Sequence, residues 1–353
     1  MENHSVPRHV TRFETSAGAQ IFQIPVQVFP MLWGNVYLAL VDNEHGGSPY
    51  RVLIDTGSGY GDSNQHLEAG FQSVSEQLGR PLGWTDLTHI LITHGHIDHC
   101  GGLSYITARS SAQVGVHELD LCNLTNYEER LAVVTRRLNI FLAEAGLSTD
   151  QRLGLFNLYK ATKNLYRSLM VDFTYEAIGM RLGPFEILHV PGHCAGQVVI
   201  RLHDVLFSGD HILEQTSPHQ SPERLTLSTG LDHYLRSMRD LCFWADGIRL
   251  TLGGHENPIL DLPGRISTIQ RLHAERLQLV LELLEEPHTI QEVSRVLFGE
   301  VHGYNVLLAL EEAGAHVEYL AQRGLLGIEN LAEYESSDVP LPIRYRCLPC
   351  RVD

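Results

Sequence analysis

A chain of 353 residues, 43% of them hydrophobic, is long enough for one large domain and a small one, and its net charge of −16 disfavours nonspecific nucleic-acid binding. No run of about eighteen apolar residues is present, so no membrane span is expected. The first residues mix Glu2, His4, Pro7 and Arg8 without the apolar stretch of a secretory signal, which makes a cytoplasmic location the expectation.

In chain order, residues 21–28, 35–41 and 51–54 are short β-rich runs, punctuated by Pro30, Gly46-Gly47 and Gly57. Leu67, Phe71, Val74 and Leu78 then have helical spacing, with Gly79 as a stop. Residues 88–93 have the character of a buried strand and lead straight into a histidine-rich segment. Leu124, Tyr127, Leu131, Val134, Leu138, Phe141 and Ala145 predict one helix stopped by Gly146. Ser148-Thr149-Asp150 offers caps for a second helix, so a helical insert is expected over about 118–172. Strand signals return at 181–190, 197–202 and 205–208, followed by a helix over 231–244 and a strand over 248–252. From Pro263 a long helical pattern runs to Leu284 and is closed by Pro287. Thr289-Ile290-Gln291-Glu292 is a capping box opening another helix, residues 305–323 supply one more, and residues 324–327 could start a hairpin. Three helices and a hairpin suggest a winged-helix-like domain over 263–335, with a tail over 336–353. Cys347 and Cys350 form a lone CxxC in that tail; without a second pair they read as two thiols rather than a zinc site.

The segment Thr93-His94-Gly95-His96-Ile97-Asp98-His99-Cys100-Gly101-Gly102 carries the chemistry. On extended backbone alternate side chains share a face, so His94 and His96 can point the same way, leaving Asp98 and His99 to serve a neighbouring ion. Imidazole and carboxylate are ligands for zinc or iron. Four such residues within six positions, at a strand end and flanked by glycines, are hard to attribute to chance even in a chain with 20 histidines. His211, His219 and His233, each alone, read instead as structural or solvated, and His4, His9 and His45 as surface.

The segment resembles the HxHxDH signature of the metallo-β-lactamase superfamily. Ile54-Asp55-Thr56-Gly57, Pro191-Gly192-His193, Ser208-Gly209-Asp210 and Gly253-Gly254-His255 are similar to the family's further landmarks, in its order. The resemblance covers residues 20–260. It implies an α/β fold, a four-layer αβ/βα sandwich spanning residues 1–262 and including the insert. It also implies that His94, His96 and His193 bind one metal ion, that Asp98, His99 and His255 bind a second, and that Asp210 bridges them. Asp55 would steady the ligand loop through hydrogen bonds. Two divalent ions sharing a water lower its pKa and supply a bridging hydroxide, with Asp98 orienting it. Zinc is the first expectation for the metals, with iron and manganese as alternatives. Cys100 and Cys194 need no catalytic role and read as small buried thiols.

The insert carries Arg136, Arg137, Arg152, Lys160, Lys163 and Arg167 against Glu144 and Asp150. One reading is a lid attracting an anionic small-molecule substrate through Lys160 and Lys163; the other is a solvated helix face. Tyr127, Tyr159 and Tyr166 could donate to a substrate oxygen or pack in a core. The C-terminal module is rich in glutamate, so a scaffold role is expected there and DNA reading is not. Oligomeric state is left open, a homodimer being compatible. The leading expectation is hydrolysis of an ester, thioester or lactone. The alternatives are a single-strand endoribonuclease of the same fold, and an iron-dependent redox or sulfur-oxidising enzyme.

Overall fold

The computed structural model describes residues 9–42, 47–163 and 166–349, and the chain divides into two compact units. The first comprises residues up to Tyr127, Tyr166–Pro218 and Ser237–Ile266; the second comprises Glu128–Leu165, His219–Arg236 and Ser267–Asp353.

The first unit holds two sheets. The larger has seven strands in sequence order: β1 (Thr11–Glu14), β2 (Gln20–Phe29), β3 (Leu32–Val41), β4 (Tyr50–Ile54), β5 (His89–Leu91), β6 (Gln113–Val116) and β7 (Phe173–Thr174). The first four pair antiparallel, and β4 to β7 pair parallel. The smaller sheet runs in the order β12 (Leu250–Gly253), β11 (Val205–Gly209), β10 (Val198–Leu202), β9 (Phe185–His189), β8 (Arg181–Leu182).

Period-two alternation sends each strand's side chains to two different cores. Ile21, Tyr37, Ala39, Val52 and Ile54 meet Ile187, Ile200, Val205, Phe207 and Leu252 between the sheets. Phe22, Ile24, Leu38, Leu53 and Ile90 face the other way, onto Leu67, Phe71 and Val74 of α1 (Ser63–Leu78) and Leu103 and Ile106 of α3 (Leu103–Thr107). Gly79 ends α1 in the left-handed conformation at φ 66°. On the outer side of the smaller sheet, Arg201 of β10 donates to the Trp244 carbonyl at the end of α7 (Leu231–Trp244), at 3.3 Å. Two further helices, α2 (Ile97–Cys100) and α4 (Glu118–Thr125), follow β5 and β6.

The second unit collects α5 (Tyr127–Glu144), α6 (Thr149–Lys163), α9 (Ile290–Phe298), α10 (Asn305–Gln322), α11 (Leu331–Glu335), most of α8 (Leu262–Leu283), and a two-stranded sheet. Leu138, Phe141, Leu142 and Tyr159 of the insert are buried together with Val280, Leu284, Ile290, Val293, Leu307 and Leu310. The insert helices thus share a core with the C-terminal helices, rather than belonging with residues 1–262 as the sequence divides the chain. The expected single helix over 124–145 is two. Asn126, at φ −129° and ψ 43°, ends α4, so that Leu124 serves one core and Leu138 the other. The expected local hairpin at 324–327 is also corrected: β13 (Leu326–Ile328) pairs antiparallel with β14 (Tyr345–Cys347), a distant segment. The capping box is formed as read, with Thr289 N donating to Glu292 Oε2 at 2.8 Å. Cys350 lies outside the described residues, as do His4 and His45.

Candidate metal centre

Five loops at the C-terminal ends of strands deliver the site, all within the first unit. Asp55 follows β4, His94 and His96 follow β5 with Asp98 and His99 on α2, His193 follows β9, Asp210 follows β11 and His255 follows β12. Backbone chemistry fixes this convergence. Asp55 sits at φ 62°, a left-handed conformation that aspartate tolerates better than most residues. Thr56 N and Oγ1 both donate to the His99 carbonyl, at 2.7 and 2.9 Å, tying the loop after β4 to α2. Gly254 N donates to the Gly209 carbonyl at 2.8 Å, and a side chain at Gly254 would collide with His99 and Asp210.

His94 Nε2 and His193 Nε2 lie 3.1 and 3.0 Å from His96 Nδ1. His255 Nε2 stands 3.5 Å from Asp98 Oδ2 and 3.4 Å from Asp210 Oδ2, and His99 Nε2 stands 3.4 Å from Asp210 Oδ1. Tetrahedral coordination at zinc–nitrogen distances of about 2.0–2.1 Å separates neighbouring ligand atoms by roughly 3.3 Å, so these separations suit a shared ion. Three overlapping sets of donors are able to hold one: His94, His96 and His193; His94, His99 and Asp210; Asp98, His99 and His255. His99 Nε2 and Asp210 Oδ1 are buried facing one another at 3.4 Å with no well-formed hydrogen bond, an arrangement that a shared cation would satisfy.

Tautomers are set from behind. Asp55 Oδ2 accepts from Thr93 Oγ1 at 2.8 Å and from His99 Nδ1 at 2.9 Å, while Oδ1 accepts from Thr93 N at 2.8 Å. Because the Thr93 hydroxyl proton goes to Asp55, its oxygen accepts from His94 Nδ1 at 3.1 Å. His255 Nδ1 donates to the Trp33 carbonyl at 2.6 Å. Each of these imidazoles therefore turns an Nε2 lone pair into the site.

Burial holds the His94 pKa well below its ordinary value, with His99 and His96 adding to the effect. Burial also opposes charge on His255 and His99, but carboxylates outweigh it. Asp210 and Asp98 push His255 up to about 10. Asp210, Asp55 and Asp98 raise His99 well above its usual range. Burial disfavours the charged forms of Asp98 and Asp210, yet His99 and His255 hold both carboxyls low. The carboxylates therefore hold positive charge at this spot, on imidazole protons or on ions that replace them, and metal uptake releases protons.

The profile of the Metallo-beta-lactamase superfamily matches residues 34–255, more than half of the chain. The chain belongs to the metallo-β-lactamase superfamily. A metallo-beta-lactamase family protein from Thermus thermophilus is similar over 93% of this chain and 98% of its own, with TM-score 0.70 and 26% identity. A beta-lactamase domain protein from Burkholderia ambifaria is similar over 98% and 95%, with TM-score 0.68 and 20% identity. Among curated proteins, the UPF0173 metal-dependent hydrolase of Alkaliphilus metalliredigens is 32% identical over 108 residues, 29% of this chain and 44% of that protein. Endoribonuclease ysh1 of Aspergillus fumigatus is 25% identical over 128 residues, 36% of this chain and 14% of that protein. The chain thus spans less than half the length of the curated relatives it matches. The first of these relatives is described as a metal-dependent hydrolase and the second as an endoribonuclease.

All seven residues singled out for metal binding converge, with Asp55 behind them. Lys160 and Lys163 are on α6 of the second unit, with their ammonium groups 4.5 and 5.9 Å from the ring centres of Phe156 and Tyr159. Tyr159 is in the second unit's core, whereas Tyr166, in the first, donates to the Ser58 carbonyl. His211 is fully buried, and His219 and His233 pair with Glu311 and Glu223. Thr93 and the Trp33 carbonyl set tautomers without having stood out in the sequence. Asp120, also unremarked there, is buried between two ligand loops. Among the described residues no helix is long and apolar enough to cross a membrane.

Proposed function

We propose that the protein hydrolyses an ester, thioester or lactone at a dinuclear metal centre. His94, His96 and His193 would hold one ion, Asp98, His99 and His255 the other, and Asp210 would lie between them. The observation that carries this reading is the Asp210 carboxyl. One of its oxygens lies 3.4 Å from His99 Nε2, and the other lies 3.4 Å from His255 Nε2 and 3.9 Å from His193 Nε2. Bound divalent ions supply acidification of water and polarisation of the substrate oxygen, two effects these side chains lack. Zinc fits the nitrogen-rich donor set, which also suits iron.

The chain's own residues supply the rest. Asp98 has the most exposed side chain of the three carboxylates here, at 18% against 11% for Asp210 and 3% for Asp55. It is therefore the carboxylate placed to accept a proton from an attacking water. Asp55 and the Trp33 carbonyl keep His99 and His255 facing inward with the correct nitrogen. Cleavage of single-stranded RNA is the competing reading, supported by the partial similarity to the endoribonuclease and opposed by the net charge of −16.

The test is metal analysis of the purified protein together with ester, thioester, lactone and single-stranded RNA substrates. Two bound ions and turnover of one acyl class are expected, with activity lost in His96→Ala and Asp210→Ala. Cleavage of RNA alone, or full activity in either variant, overturns the proposal.

A further inference from the structure

We infer that Asp120 is a positioning residue dedicated to one of the two ions, the one that His94, His96 and His193 would hold; this rests on the metal reading above. Asp120 is fully buried near the start of α4. Its Oδ2 accepts from Gly95 N at 2.7 Å, the peptide between His94 and His96. Its Oδ1 accepts from Asn123 Nδ2 at 2.7 Å, and the Cys194 thiol, immediately after His193, donates to the same carboxyl at 3.2–3.3 Å. One carboxyl group thus clasps the two loops that carry all three ligands of this set.

The fit leaves no room on either side. A Cβ at Gly95 would come within 2.7 Å of Asn123 Nδ2, and a Cβ at Gly196 within 2.6 Å of Asp120 Cγ. Both glycines are explained by close approach of backbone to the clasp. The other ligands hang on different supports: His99 on Asp55 and His255 on the Trp33 carbonyl. Asp120→Asn keeps the shape but turns an amide donor toward Gly95 N–H, or toward Asn123 and Cys194, so one loop loses its anchor.

The test titrates the metal-free full chain with zinc against a chelator. Cadmium NMR assigns each equivalent, separating a three-nitrogen donor set from an oxygen-rich one. For Asp120→Asn we expect the three-histidine equivalent to weaken about 10–100-fold and the other to stay within about threefold. Asn123→Ala should give a smaller loss of the same selectivity, and it decides the matter if Asp120→Asn does not fold. A purely structural role would lower thermal stability without separating the two equivalents. Equal weakening of both ions, or retention of both, in a folded variant overturns the inference and leaves the proposed function standing. A wild-type chain that takes up no divalent ion overturns both.

Discussion

Asp55→Asn is a change of one atom whose consequence follows from three hydrogen bonds. The carboxyl accepts from Thr93 N, Thr93 Oγ1 and His99 Nδ1, all at 2.8–2.9 Å. An asparagine can present its oxygen to only one side. If the oxygen stays on Thr93 N, the amide faces His99 and favours the tautomer with its proton on Nε2, which cannot bind a metal. If the oxygen turns to His99, Thr93 N–H is buried facing an N–H. Either way one donor goes unmatched, which costs about 1–3 kcal/mol. Converted at about 1.4 kcal/mol per decade, that is roughly 5- to 150-fold in affinity. Because Thr93 relays Asp55 to His94, the loss should reach both ions. Chelator-competition titration of zinc measures it, with circular dichroism confirming the fold. An Asp55→Asn protein that binds both equivalents within twofold of wild type would refute this account of tautomer control.

Three more outcomes are expected. If the basic face of α6 attracts an anionic substrate, reversing Lys160 and Lys163 to glutamate should raise KM for anionic substrates severalfold with kcat unchanged; identical KM values remove that role. The buried trio His273, Glu312 and His316 should hold no ion, because Arg276 and Gln220 N already complete the Glu312 carboxylate at 2.9 and 2.6 Å and His273 Nδ1 meets His316 Nε2 at 3.2 Å. A third metal equivalent lost in His316→Gln would contradict this. Burial depresses His117 and His211 to about 3, aided by His189 and His193 respectively. The unfolded chain protonates these histidines near pH 6.5, so it binds more protons than the folded chain below that pH. The stability these two histidines contribute to the metal-free protein is therefore full above about pH 6.5 and falls towards pH 4, by at most about 1.4 kcal/mol per pH unit for each histidine. His211→Asn should flatten the slope of the urea midpoint, and a midpoint constant from pH 7 to 4.5 would be the contrary result.

The ligand set was legible because five of the seven ligands adjoin a glycine in the sequence itself, and Asp98 and His99 follow within the same short segment as His94 and His96. His94-Gly95-His96, Gly192-His193, Gly209-Asp210 and Gly254-His255 are local patterns. Asp120 was not legible, since its partners Gly95 and Cys194 are brought to it only by folding. Strand β7, with two residues, carries no periodicity to read, and its parallel partner β6 lies more than fifty residues earlier. The pairing of Leu326–Ile328 with Tyr345–Cys347 is nonlocal for the same reason.

The division of the chain is where sequence order misled most, and it yields a test of its own. A helix buries its apolar face only against a partner, and α5 finds its partners beyond residue 262. Leu138, Phe141 and Leu142 are at most 1% exposed, packed among Val280, Leu284, Ile290 and Leu310. Polar contacts agree: Gln291 N donates to the Ala145 carbonyl at 2.9 Å and Ile343 N to the Glu144 carbonyl at 2.8 Å. The Glu144 carboxylate is itself buried against Arg224, with Tyr334 Oη donating to it at 3.1 Å. A chain ending at residue 262 would strip these partners away, Arg224 excepted. Re-exposing Leu138, Phe141, Leu142 and Tyr159 forfeits about 1.5–3 kcal/mol for each large side chain, a sum comparable to the roughly 5–15 kcal/mol that holds a domain folded. We expect that shortened chain to bind hydrophobic dye and associate in sedimentation, even though every metal ligand is retained. A monomeric, dye-silent 1–262 fragment would show instead that α5 and α6 fold without the C-terminal helices.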